Sequence, residues 1–83
     1  MSMEDLLRFA KDAIVHYVEA RPESADTLEG IHHWWIQWPG AAESMAVTLA
    51  ALEQLERDGL MQGIRVGNRD IWRRRRPDTA HAG

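Results

Sequence analysis

The 83 residues predict a mainly helical fold closed by one small antiparallel β-hairpin, on three observations. Ser44 to Asp58 repeats its apolar residues at helical spacing and halts at Asp58-Gly59. Two short extended runs then flank Gly67-Asn68, a dipeptide suited to a tight hairpin turn. Two further helical stretches precede these elements, separated by Pro22 and ended by Pro39-Gly40.

Size bounds the rest. At 9.5 kDa the chain suits one domain, residues 1–76, with a patternless tail over residues 77–83 that is expected to be mobile. The first helix is expected over Met3–Ala20. Ser2 serves as its cap, and Glu4 and Asp5 lie near the positive end of its dipole. Leu6, Phe9, Ala10, Ala13, Ile14 and Tyr17 make its apolar stripe, with Arg8, Asp12, Val15 and Glu19 facing away. Pro22 disfavours helical geometry at Arg21, and Glu23 to Ala25 reads as a short loop.

Asp26-Thr27-Leu28-Glu29 has the form of a capping box with Asp26 as cap. The second helix it opens turns Leu28, Ile31, Trp35 and Trp38 to one face and ends at Pro39-Gly40. Ser44 caps the third helix, whose expected buried stripe is Met45, Thr48, Leu49, Leu52 and Leu55. In the hairpin, the turn places Val66 opposite Arg69, Arg65 opposite Asp70, Ile64 opposite Ile71 and Gly63 opposite Trp72. Ile64, Val66 and Ile71 are read as the inner face. Arg65 pairs with Asp70 on the other face, where Trp72 lies over the bare backbone of Gly63.

Ser44 to Met61, S-M-A-V-T-L-A-A-L-E-Q-L-E-R-D-G-L-M, resembles the recognition helix and first wing strand of the winged helix-turn-helix superfamily. Arg69-Asp70-Ile71-Trp72-Arg73 is similar to its second wing strand, and the likeness covers roughly residues 26 to 76. The resemblance implies three helices plus a wing, and a binding function. Most members are transcription regulators that place the third helix in the DNA major groove and the wing along the backbone, while a minority bind proteins.

The charge pattern departs from the DNA-binding kind. Residues 1–58 hold eleven acids and four bases, net −7, whereas residues 59–83 hold six arginines and two aspartates, net +4. The face of the third helix that would enter a groove is read as Ala46, Val47, Ala50, Glu53, Gln54 and Arg57, short of the donors that direct readout needs. A protein partner or a second copy is therefore the preferred ligand, met by Ala46, Val47, Ala50, Glu53, Gln54 and Trp34. The alternative is a DNA-binding regulator that holds phosphates through Arg57, Arg65, Arg69, Arg73, Arg74, Arg75 and Arg76. Against both stands a bland reading: short apolar residues are common on helix surfaces, and alternate arginines of a strand simply point into water. Trp72 and the arginine run also suit an anionic lipid surface.

Trp35 and Trp38 are expected to fill the core, and Trp34 to be the more exposed of the three. His32 and His33 are adjacent and point about 100° apart on a helix, so they do not chelate one metal. His16 and His81 have no ligand partner at useful spacing. No nucleophile–base pattern or glycine-rich phosphate loop is present, and there is no cysteine, so neither catalysis, a cofactor nor a metal is expected. The acidic start and the lack of a long apolar run point to a cytoplasmic protein without a membrane span.

Overall fold

The computed structural model describes residues 2–76; the tail expected over 77–83, with His81, lies outside the described residues. Helix α1 (Met3–Ala20) begins where the Ser2 hydroxyl accepts from the Asp5 amide at 3.1 Å. A turn at Pro22-Glu23 leads into strand β1 (Ala25–Asp26). Helix α2 (Leu28–Gly30) continues as a π-helical turn (Ile31–Trp35), and together they form the second helix. Helix α3 (Met45–Arg57) follows, then strands β2 (Met61–Val66) and β3 (Arg69–Arg74). The three helices thus carry a three-stranded antiparallel sheet of order β1-β3-β2, an arrangement compatible with a winged helix.

The hairpin register agrees with the sequence reading at all four pairs, from Val66↔Arg69 to Gly63↔Trp72. Gly67, at φ 63°, makes its tight turn. Which face is inner is reversed. Met61 and Trp72 belong to the core, whereas Ile64 and Ile71 are only half-buried and lie outside it, and Val66 is 56% exposed. Burying one indole removes more apolar surface than either isoleucine can, so the Trp72 face turns inward. Arg65 and Asp70 share that face, but they sit at the hairpin tip, past the helical body, and pair at 3.1 Å in solvent.

Strand β1 replaces the loop expected at Glu23 to Ala25. It places Ala25 opposite Arg73 and Asp26 opposite Trp72. Because Asp26 is in the sheet, the helix cap moves one residue on: the Thr27 hydroxyl accepts from the Gly30 amide at 3.2 Å. Asp26 accepts instead from the Thr27 amide, at 2.7 Å.

The second helix also ends earlier than Pro39-Gly40. In a regular α-helix the His32 carbonyl would accept from the Ile36 amide. Here the Trp38 indole donates to that carbonyl at 3.0 Å, and the Ile36 amide reaches one residue further back, to Ile31, at 3.3 Å. That widened turn is the π-helical segment. Trp38 consequently leaves the helix and lies half-buried beside Phe9.

The core gathers Ala10, Ile14 and Val18 of α1, Ile31, Trp35 and Ile36 of the second helix, and Val47, Ala51, Leu52 and Leu55 of α3, closed by Met61 and Trp72. Val15, read as outward, packs partly against it. No helix among the described residues is long and apolar enough to cross a membrane.

A methyl placed on Gly63 would stand 3.2 Å from the Trp72 ring, tighter than ordinary contact. Gly63→Ala is therefore expected to cost about 1 kcal/mol or more, because the indole is already held in the core. Urea denaturation followed by circular dichroism reads this as a lower midpoint with an unchanged slope.

Candidate functional site

Helix α3 is where the candidate residues meet, and its orientation decides which are available. The sequence reading and the structure agree on Thr48, Leu52 and Leu55 as buried but differ at the edges of the stripe. Val47 and Ala51 are buried, while Met45 and Leu49 are 39% and 36% exposed. Helix α1 is the cause. It packs along α3, and its fully buried Ala10 presents a small side chain that lets the helices approach closely. Lys11 then reaches Gln54 at 3.2 Å and Asp58 at 3.8 Å.

Two of the expected contact residues are thereby withdrawn. Val47 is in the core, and half-buried Gln54 is engaged by Lys11. Ala46, Glu53 and Arg57 are exposed as expected, and Ala50 is half-buried. Met45 and Leu49 join them, having been missed because i, i+3, i+4 spacing fits two overlapping arcs of the same wheel. The signal that separates the arcs is Ala51, a small residue on the side where α1 docks. The outer face of α3 is thus Met45, Ala46, Leu49, Glu53, Glu56 and Arg57. Glu56 also accepts from the Gly63 amide at 3.1 Å, which occupies a donor on the open edge of β2.

Trp34 is 75% exposed but does not join this face. His32, two residues before it, reaches α3, so the two side chains leave their helix on roughly opposite sides. The remaining aromatic residues of this region are packed together. Tyr17 stacks on Trp35 with centroids 4.4 Å apart, and the Arg21 guanidinium lies over Tyr17 at 4.8 Å. Beside them runs an open groove of about 480 Å³, lined by Phe9, Asp12, Ala13, His16, Tyr17, Arg21, Trp35 and Gln37.

The arginines of the hairpin are divided. Successive strand residues point to opposite faces, so Arg69 and Arg73 share the outer face with Ile64 and Ile71, while Arg65 and Arg74 lie on the other. Arg65 is paired with Asp70, and Arg76 with Glu23 at 3.2 Å. Arg75 is exposed, and its amide donates to the Leu60 carbonyl. A single basic stripe is not what this arrangement gives.

His32 is the buried polar group that ties the second helix to α3. Its Nδ1 lies 2.7 Å from the Thr48 hydroxyl, and both residues are buried. The Glu43 backbone also acts on the ring, and a neutral ring satisfies Thr48 as donor or as acceptor according to its tautomer. Burial, and then the neighbouring His33, lower its pKa below the ordinary 6.5; the Glu43 contact opposes them. Among the described residues no three His, Cys, Asp or Glu side chains gather as a metal-binding group.

Comparison with protein-family models, with curated proteins and with solved structures gave no match.

The His32 shift gives a pH dependence of definite sign. The unfolded chain takes up a proton near 6.5 and the folded one resists it, so this contribution to stability is complete above 6.5. It is lost progressively as pH falls from 6.5 towards the lowered value. His32→Gln is expected to be less stable than the parent at about pH 8, by roughly 1 kcal/mol for the lost hydrogen bond. Between about pH 7 and pH 5 its denaturation midpoint should fall less than the parent's.

Proposed function

We propose that the chain is a non-catalytic winged-helix binding module that docks a protein through the outer face of α3. The observation that carries the reading is the character of that face. It exposes Met45, Ala46 and Leu49 beside Glu53 and Glu56, where a groove-reading helix presents cations and amides. Apolar side chains left in water on a helix of a small domain favour an interface, and the acidic flank selects against phosphate. The order of elements and the β1-β3-β2 sheet support the winged-helix assignment. The split of the wing arginines between two faces, and the pairing of Arg65 and Arg76 with carboxylates, weigh against the DNA-binding alternative.

The test compares the parent with Leu49→Asp and with an Arg69→Ala/Arg73→Ala variant. Duplex DNA should bind no tighter than about 0.1 mM at physiological salt, weaker than the usual range of non-specific DNA binders. Protein capture by the immobilised domain should weaken only modestly at high salt, far less than a phosphate contact would, and be lost in Leu49→Asp. Leu49 keeps only 36% of its surface in water, so the substitution is expected to cost about 1–2 kcal/mol, and circular dichroism of the variant checks that it remains folded. Micromolar DNA binding that weakens steeply with salt and is lost in the arginine variant would overturn the reading.

A further inference from the structure

Among the described residues, two faces set exposed apolar side chains beside charge of opposite sign. The first is the outer face of α3, with Met45, Ala46 and Leu49 set among Glu53 and Glu56; Arg57 at its end offsets one of these carboxylates. The second is the outer face of the hairpin, where Val66 is exposed and Ile64 and Ile71 are half-buried. Ile64, Val66 and Ile71 share that face with Arg69 and Arg73, and none of the three apolar residues belongs to the core. The faces lie on different elements of one chain, one acidic at its apolar margin and the other basic.

We infer that the partner is a second copy of this chain, with the hairpin's outer face of one molecule seated on the α3 face of the next. The inference rests on the reading of α3 as a docking surface and supplies its occupant. Complementary charge at the margin of an apolar patch orients the approach and rejects the reverse pairing, in which each face would meet its own charge. A contact between two different faces is heterologous. It leaves one of each face open on the pair, so association continues past the dimer unless the rotation closes a ring. Added salt screens the Arg69 and Arg73 margin and weakens it.

The test uses two full-length variants and sedimentation velocity. Leu49→Asp spoils the α3 face alone. Val66→Asp/Arg69→Glu spoils the hairpin face alone, at two exposed positions outside the core. The parent is expected to grow beyond a dimer with concentration, less so at high salt. Each variant alone should associate about tenfold more weakly or worse. Mixed, the two should form a one-to-one pair that grows no further, since only one good face of each kind remains. Pair formation also proves that both variants are folded. A parent that stays monomeric up to about 1 mM overturns the inference, as does a mixture no better associated than its components, or a variant that self-associates like the parent. If the parent stays monomeric yet captures another protein through Leu49, the docking role of α3 stands and only the choice of partner falls.

Discussion

The contact on which the rest of the structure depends is the Trp72 indole against the bare backbone of Gly63. A side chain of that size needs a neighbour with none, and the hairpin register brings the two directly opposite. Once Trp72 is inside, at 8% exposure, the alternation of the strands fixes every other assignment. Met61 follows it into the core, Arg65 and Asp70 are left to pair at the tip, and Ile64, Val66 and Ile71 are turned out with Arg69 and Arg73. The same indole-bearing strand is central in the sheet, so β1 pairs at Trp72 as well.

The helical body answers to a second constraint, the close approach of α1 to α3. Ala10 and Ala51 are both fully buried, and Lys11 completes the seam through Gln54. The rotation this imposes on α3 takes Val47 inward and brings Met45 and Leu49 to the surface. His32 and Thr48 secure the opposite crossing with a buried hydrogen bond, and burial of the ring favours its neutral form. A binding face on α3 is therefore a consequence of how its other sides are occupied. Its acidic, apolar character and the outward hairpin face arise from separate packing decisions, and both follow from which large side chain won the interior.

Much of this was legible in the chain itself. The bounds of α1, the Ser44 cap and the full hairpin register follow from spacing, capping and turn chemistry, which act over a few residues. The features that were not legible depend on distant partners. Strand β1 is two residues long, too short for any periodicity, and exists because β3 offers an edge at Arg73 and Trp72. The π-helical turn requires an indole six residues on to claim the His32 carbonyl. The buried arc of α3 and the inner face of the hairpin each had two solutions locally, and helix docking and indole burial chose between them. The candidate site was read in part for the same reason: Ala46, Glu53 and Arg57 are where spacing puts them, Val47 and Gln54 are not, and Trp34 is exposed on a different side.

Burial of the Trp72 face of the hairpin decides how the sheet sits on the helices. It is tested most directly by nuclear Overhauser contacts of the Trp72 indole protons in the intact protein. The indole is expected to show contacts to the Gly63 α-protons and to Met61, with the Ile64 and Ile71 methyls silent towards the α1 and α3 core. Contacts from the Ile64 and Ile71 methyls to Ile14, Leu52 or Leu55, with a solvent-exposed Trp72, would contradict it.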